Sequence, residues 1–214
     1  MARDDDRHLR RVLRLRDGDP VVLADGTGTA WPARLTAEGA EIVGPFVATE
    51  LAAPRLRVFQ AVPKGGKLDD VVRVLTELGV DRVTPVLSAR AVARPATAER
   101  ARSVARAAAE QARRSNLPTI DEPMTVADCT REPLVGVVAQ PGGRALADAA
   151  AELDRTVDEV AIAVGPEGGW TDDEVGAWAS AGLVPVTLGS SILRTEHAAA
   201  ALVAVVSYVL GRMS

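Results

Sequence analysis

The stretch EVAIAV (159–164), followed by GPEGGW (165–170) and TDDE (171–174), decides the fold of this chain. Five consecutive apolar residues predict a buried strand, and Thr171 with Glu174 forms the Thr-x-x-Glu box that opens a helix. A glycine-rich turn between a strand and a helix often binds phosphate, but the four acidic residues crowded around this turn would repel one. The glycines therefore predict either close backbone approach to an uncharged or cationic ligand or a tight turn that serves only packing.

Strand-like and helix-like runs alternate from residue 56 onward. This alternation predicts an α/β domain with a mostly parallel sheet that is covered on both faces. Functional loops of such sheets gather at the carboxyl ends of the strands, where the glycine-rich turn falls. The predicted strands are Leu56–Val62, Arg82–Leu87, Leu134–Ala139, Glu159–Val164 and Leu183–Leu188. The predicted helices are Lys67–Gly79, Thr97–Ser115, Arg144–Leu153, Thr171–Ala181 and Thr195–Leu210.

Residues 1–54 follow a different pattern, in which short apolar runs are separated by turn signals such as Asp17-Gly18-Asp19-Pro20. This pattern predicts a small β-rich module of the barrel type, joined to the rest by the linker Ala52-Ala53-Pro54. We therefore predict two domains, at 1–54 and 55–214. The strands predicted in the first domain are Val21–Ala24, Trp31–Leu35 and Ala40–Val43.

Basic residues are unevenly distributed along a chain whose net charge is −4. Residues 1–16 carry a local charge of +3 and residues 90–116 one of +5, which leaves −12 for the remainder. Two basic segments in an otherwise acidic chain indicate a protein that binds a polyanion on one face. Solvated arginine-rich helix faces without a binding role would give the same local charges. Only two of the 25 basic residues are lysines, Lys64 and Lys67, which indicates a site that prefers a compact ammonium.

The composition predicts a cytoplasmic protein with neither a membrane span nor a metal cluster. The longest uncharged run, 198–211, is shorter than the roughly 20 apolar residues that span a bilayer. The first 16 residues lack the apolar segment of a signal peptide. Because Cys129 is the single cysteine, an internal disulfide and a cysteine-cluster metal site are excluded.

Five motifs occur in order along the chain: KGGK (64–67), TELGV (76–80) with Pro85 and Arg90, EQ (110–111) with Arg114 and Pro118, GPEGG (165–169) and LRTE (193–196). Together they resemble the motifs of the bacterial 16S ribosomal RNA uridine-N3 methyltransferase family. The resemblance implies a SPOUT-type α/β fold threaded as a trefoil knot, an exception to the usual unknotted topology. It also implies a small N-terminal PUA-like β-barrel, a homodimer, S-adenosyl-L-methionine as cofactor and the RNA of the small ribosomal subunit as partner.

Residues in both loops at the carboxyl edge are candidates for the site, although Arg194 and Glu196 by themselves would also fit a surface salt bridge and a helix cap. Ile192 and Leu193 would form apolar walls for an adenine ring. Glu196 would be a base or an orienting group, Arg194 an oxyanion stabiliser, and Arg90 a second candidate to hold the target base or a phosphate. The residues expected at the cofactor are Val164, Gly165, Pro166, Glu167, Gly168, Gly169, Leu188, Gly189, Ile192, Leu193 and Thr195. Those expected at the RNA are Lys64, Lys67, Arg94, Arg106, Arg113, Arg114, Arg10 and Arg11.

Three departures from the family pattern leave other interpretations open. The chain begins almost at the HLRRVL segment (8–13), before which the family has a further strand, so a trimmed barrel or a misassigned start is expected. Ser190-Ser191 stand where the family often has Pro-Arg, and His197 where it often has Thr. The loop QPGG (140–143) lacks an expected acidic residue. The alternatives are a methyltransferase of this fold that modifies another ribosomal or transfer RNA nucleotide, and a non-catalytic RNA-binding homologue.

Overall fold

The computed structural model describes residues 8–49, 52–91 and 97–213, which fall into two compact units. The first unit lies within Met1–Leu51 and also contains Arg113–Leu117, and the second contains Ala52–Ala112 and the chain from Pro118 onward. The predicted helix Thr97–Ser115 is therefore too long. It ends near Gln111, and the chain turns through a left-handed conformation at Arg113, with φ of 56°.

The first unit is an antiparallel sheet of four strands preceded by the helical segment His8–Val12. The strands are β1 (Pro20–Ala24), β2 (Thr29–Thr36), β3 (Gly39–Ile42) and β4 (Val47–Ala48). Strand β2 is central and pairs with each of the other three. Its alternating pattern buries Ala33 and Leu35, which confirms the β-rich module that the turn signals predict.

The second unit is built on a seven-stranded sheet in which every pairing is parallel. Its strands are β5 (Arg55–Ala61), β6 (Arg82–Leu87), β7 (Thr119–Ile120), β8 (Met124–Thr125), β9 (Gly136–Ala145), β10 (Glu159–Val164) and β11 (Leu183–Thr187). The order is β11-β9-β10-β5-β6-β7, and β8 also pairs with β6. The predicted parallel sheet is confirmed, and only the two-residue strands β7 and β8 had no detectable sequence pattern.

Helices cover both faces of this sheet, as the strand and helix alternation predicts. They are α1 (Leu68–Glu77), α2 (Ala98–Gln111), α3 (Val126–Cys129), α4 (Leu146–Ala151), α5 (Asp172–Ser180) and α6 (Thr195–Val209). Buried side chains of α1, α2, α4 and α6 form one apolar cluster with the sheet. Those of α3 and α5 form a second cluster around Phe59, Trp170 and Trp178. The sheet is therefore buried on both sides, which explains why β10 is apolar throughout after its first residue.

Strand β9 is where the sequence-based boundaries were wrong. It begins at Gly136, where a Cβ would lie only 1.9 Å from the Ala161 carbonyl oxygen, so this position requires glycine. It continues to Ala145, through a segment predicted as a loop, and pairs with β11 on both sides of a register shift. Arg144 thus belongs to a strand rather than to the start of a helix, and the helix begins at Leu146.

Candidate functional site

Four loops of the second unit meet the carboxyl edge of the parallel sheet. They follow β5, β6, β10 and β11, at residues 62–67, 88–91, 165–171 and 188–194. Because these strands run parallel, their carboxyl ends lie on one edge, which is where ligand sites form in open α/β sheets. Both glycine-bearing loops that the sequence singled out belong to this set.

The loop 165–170, the glycine loop, is a tight turn between a buried strand and a capped helix. The Gly169 N–H donates to the Pro166 carbonyl at 2.8 Å, and Gly169 has a φ of 69°, which favours glycine. Trp170 is buried, and the predicted capping box is confirmed, since Thr171 and Glu174 cap each other reciprocally. The loop is thus rigidly anchored at its carboxyl end.

Two neighbouring loops and the first residue of α6 hold the glycine loop by hydrogen bonds. The Lys64 N–H donates to Glu167 Oε1 at 3.0 Å. Arg90 Nη1 donates to the carbonyl oxygens of Gly168 and Trp170, at 3.0 and 3.1 Å. The Thr195 hydroxyl donates to the Gly165 carbonyl oxygen at 2.6 Å. Arg90, predicted as a candidate for the target base, is therefore placed against the loop backbone.

The second predicted loop presents apolar side chains to solvent. Ile192 is 88 % exposed and Leu193 39 % exposed, although both are large aliphatic residues. Gly189 has a φ of 123°, and the hydroxyl of Thr187 donates to its carbonyl oxygen at 3.1 Å. Exposed aliphatic side chains beside a backbone-lined turn are what a flat, partly apolar ligand requires.

Glu196 lies in the first turn of α6 and forms an ion pair with Lys67, at 2.7 Å between Oε1 and Nζ. The hydrogen bond from Lys67 holds the pKa of Glu196 below its ordinary value, so this carboxylate is ionised at neutral pH. Its second oxygen, Oε2, is buried and has no donor among the described residues. Arg194, two residues earlier, is exposed and occupies the N-cap position of α6.

The cations predicted at the RNA have different surroundings. Lys64 lies exposed beside the glycine loop, whereas Lys67 forms the ion pair with Glu196. Arg106 pairs with Glu110 at 3.0 Å, and Arg10 pairs with Asp17 at 2.9 Å. Arg11 and Arg113 are exposed and Arg114 is half-buried, all in the first unit, while Arg94 lies outside the described residues.

Two polar residues at this edge were not predicted as site residues. Gln60 is fully buried in β5 and hydrogen-bonds Thr195, and Glu174 accepts the Ala89 N–H at 2.7 Å in addition to capping α5. The sequence carried one signal for Gln60, a polar residue inside an otherwise apolar strand. The sequence predicts Glu174 only as a helix cap, because no local sequence pattern indicates that it also holds the loop after β6.

No group of three or more potential metal-ligating side chains occurs within the described ranges 8–49, 52–91 and 97–213. Among the helices of those same residues, none has the length and apolar character needed to cross a bilayer.

The two units, with the edge site of the second unit, identify the class of protein as an RNA methyltransferase with a PUA domain. The model of the RNA methyltransferase domain family matches residues 50–207, and that of the RNA methyltransferase PUA domain matches residues 3–43. The larger unit is accordingly a SPOUT-type α/β domain, as the sequence motifs implied.

The chain belongs to the family that includes ribosomal RNA small subunit methyltransferase E. It is 32 % identical to the protein of that name from Synechocystis sp., over 95 % of this chain and 70 % of the relative. It is also 32 % identical to the Mycobacterium bovis protein, over 98 % of this chain and 86 % of the relative. The Neisseria gonorrhoeae protein, solved with bound S-adenosylmethionine, is 29 % identical with a TM-score of 0.85, over 98 % of this chain and 90 % of that one.

Proposed function

We propose that this protein transfers the methyl group of S-adenosyl-L-methionine to N3 of a uridine in the 16S ribosomal RNA of the small subunit, in the cytoplasm. The single observation that carries the proposal is the Thr195 hydroxyl bonded to the Gly165 carbonyl. It joins the two loops that the family motifs assign to one cofactor, in a chain whose relatives are named as small subunit methyltransferases.

The residues at this edge suit S-adenosylmethionine in shape and charge. The glycine loop offers closely approachable backbone, and the exposed Ile192 and Leu193 offer apolar contact for a ring. The acidic residues around the loop would repel a phosphate but tolerate a sulfonium cation. The cofactor-holding residues would be Val164, Gly165, Pro166, Glu167, Gly168, Gly169, Leu188, Gly189, Ile192, Leu193 and Thr195.

When bound, S-adenosylmethionine supplies an already activated methyl group, so the chain's own task is mainly alignment and proton handling. Glu196 is ionised, and its Oε2 has no donor among the residues that the structure describes, so Glu196 is our candidate for the group that orients the uridine or accepts its N3 proton. Arg194, exposed at the start of the same helix, would stabilise negative charge on the uridine oxygens as that proton leaves. Arg90 would act by holding the glycine loop.

The RNA would be held by the exposed cations near these loops and by those of the PUA-like unit. Lys64 is the best placed, since its backbone is fixed to Glu167 and its side chain is exposed. Phosphate contacts of this kind raise affinity without sequence selection. The predicted set is Lys64, Lys67, Arg94, Arg106, Arg113, Arg114, Arg10 and Arg11.

A homodimer is part of the proposal. Its support is Tyr208, which is 75 % exposed on α6, a helix whose other face is buried against the sheet. Sedimentation that gave only a monomer at micromolar concentration would contradict this part alone.

The decisive experiment is transfer of labelled methyl from S-adenosylmethionine to purified small subunits, naked 16S RNA and transfer RNA, followed by mapping of the modified base. Label at a uridine N3 of small-subunit RNA is the expected result. Label on transfer RNA or on another nucleotide would replace the proposed substrate. No label, combined with no heat of S-adenosylmethionine binding in calorimetric titration, would indicate a non-catalytic RNA-binding homologue.

A further inference from the structure

Gln60 is a buried polar residue at the carboxyl end of a central strand. It has no exposed surface and lies in β5 between Val164 of β10 and Pro85 of β6. Its Nε2 donates to the Ala61 carbonyl oxygen at 2.9 Å and to Thr195 Oγ1 at 3.0 Å. A single amide thus connects the end of one strand to the first residue of α6.

The partners of Gln60 fix the orientation of its amide. The Ala61 carbonyl can only accept, so the NH₂ group must face it, and the second N–H then points at Thr195 Oγ1. Since that hydroxyl already accepts from Gln60, its own proton is directed to the Gly165 carbonyl oxygen, 2.6 Å away. The hydrogen bonds therefore run in one direction, from Gln60 through Thr195 to Gly165.

Burial of the Gln60 amide costs free energy of folding, and packing of the core does not account for it. Gln60 Oε1 is buried and no described residue donates to it. A buried polar atom without a partner is unfavourable, and the alternate residues Leu56 and Val58 on the same face of β5 are apolar. An aliphatic side chain would therefore suit the core at this position at least as well as glutamine does.

We propose that Gln60 is a positioning residue for the S-adenosylmethionine pocket. It orients the Thr195 hydroxyl and, through it, the Gly165 peptide. The two cofactor loops are thereby held in their binding positions before S-adenosylmethionine binds. The inference rests on the proposed function, because it assigns the cofactor to these two loops. Gln60 touches neither cofactor nor RNA in this role and acts only through Thr195.

The test measures S-adenosylmethionine affinity of the full chain by calorimetric titration, with thermal unfolding of the cofactor-free protein recorded alongside. Gln60→Met keeps the length of the side chain and removes the amide. We expect roughly tenfold weaker binding, as for loss of one ordering hydrogen bond, with the unfolding temperature nearly unchanged because the unpaired Oε1 is removed as well. RNA affinity should be unchanged.

Thr195 provides the companion variants. Thr195→Val removes the hydroxyl at constant shape and should weaken cofactor binding at least as much, whereas Thr195→Ser keeps the hydroxyl and should restore it. The double variant Gln60→Met/Thr195→Val should bind no more weakly than Thr195→Val alone, because both changes interrupt one connection. The matched control is Thr76→Val, which removes another buried hydroxyl, one that donates to Val72 within α1, and should leave the cofactor affinity unchanged.

Several results would overturn the inference. Unchanged affinity in Gln60→Met, additive losses in the double variant, or an equal loss in Thr76→Val would each show that Gln60 does not act through Thr195. If Gln60→Met does not fold, equal binding by Thr195→Ser and Thr195→Val overturns it instead. Absence of binding by the unmodified protein would overturn the proposed function itself, which distinguishes the two failures.

Discussion

Buried polar groups near the two edges of the parallel sheet differ in whether they have hydrogen-bond partners. At the amino edge, Asp121 accepts a two-pronged hydrogen bond from Arg82, at 2.8 and 2.9 Å, and a further bond from Thr84 at 2.5 Å. At the carboxyl edge, Gln60 Oε1 and Glu196 Oε2 are buried with no donor among the residues that the structure describes. Both carboxylate oxygens of Asp121 thus have hydrogen-bond donors, whereas these two acceptors have none among the described residues.

Further partnered charges lie near the amino ends of β5 and β6. Arg57 lies 4.4 Å above the Phe59 ring and donates to Thr84 and Asp121. Burial alone would raise the pKa of Asp121, but the hydrogen bonds from Arg82 and Thr84 outweigh it and lower the pKa below its ordinary value. Near the carboxyl terminus of the chain, Arg212 binds Asp81, whose carboxylate also accepts the Leu56 N–H.

This difference in hydrogen bonding predicts that mutations at the two edges affect different properties, stability at one and activity at the other. A buried charge whose partners are complete stabilises the fold only as long as each partner remains, and removal of one leaves the other uncompensated. A buried acceptor without a partner costs free energy of folding, so its presence calls for an explanation other than stability. Changes at the amino edge should therefore reduce stability, and changes at the carboxyl edge should reduce activity.

The largest effect is expected at Glu196. Glu196→Gln removes the ionised acceptor at nearly constant shape, and methyl transfer should fall by about 10²–10⁴-fold, the usual contribution of a positioned proton acceptor. S-adenosylmethionine affinity should stay within about twofold, because Glu196 is assigned to the target base and not to the cofactor. Initial rates with small subunits and calorimetric titration measure the two quantities. Retention of full activity would remove Glu196 from the mechanism.

Arg212→Met tests the other edge. It leaves Asp81 buried without its cation and removes the donor to the carbonyl oxygens of Ala52, Pro54 and Gly79. The side chains of Arg212 and Asp81 are only 7 % and 11 % exposed, so the free energy of unfolding should fall by about 3–5 kcal/mol. Denaturant titration measures the change.

The matched control for that change is Arg144→Met, which breaks an exposed pair with Glu152 and should leave the unfolding midpoint nearly unchanged. Activity per folded molecule should survive Arg212→Met. A loss of activity without a loss of stability would contradict the division between the two edges.

Lys67→Met tests the ion pair at the carboxyl edge by pH. Lys67 lowers the pKa of Glu196, so the pair stabilises the folded state above the ordinary carboxyl pKa, and this contribution disappears as the pH falls through the lowered pKa. Because Lys67 is more than a third exposed, the contribution is about 1 kcal/mol or less. The stability difference between parent and variant should therefore be constant near neutrality and vanish in acid.

Unfolding free energies measured in a pH series check this expectation. Arg73→Met, which breaks the more exposed pair with Asp70, serves as the reference for an ordinary surface charge. A stability difference for Lys67→Met that persisted below the titration of Glu196 would show that Lys67 stabilises by packing and not by its charge.

The smallest effect concerns the thiol of Cys129. Burial raises its pKa to about 12, so almost no thiolate exists near pH 8. A thiol reagent should label Cys129 very slowly in the folded protein and at once in the denatured protein. Folded protein incubated with the reagent should keep its methyl-transfer activity for as long as Cys129 stays unlabelled. Rapid labelling of the native protein would show that α3 opens readily on the second face of the sheet.

Local sequence patterns determined the elements of this fold. Five apolar residues in β10, the Thr171 and Glu174 box and the glycine loop are contiguous signals, and each corresponds to what the structure shows. The errors fell where local signals were weak or misleading. Strand β9 crosses a glycine-rich segment predicted as a loop, because pairing with β11 resumes after a register shift.

Tertiary structure alone decided which of these elements share a site. Gln60 and Thr195 are 135 residues apart, and Lys67 and Glu196 are 129 apart, yet both pairs are hydrogen-bonded. These contacts depend on how α6 packs across the sheet, against α1 and β10, which brings its first turn to the end of β5. A residue's periodicity reports only which face of its own element is buried, so the sequence could identify the two loops but not the amide that connects them.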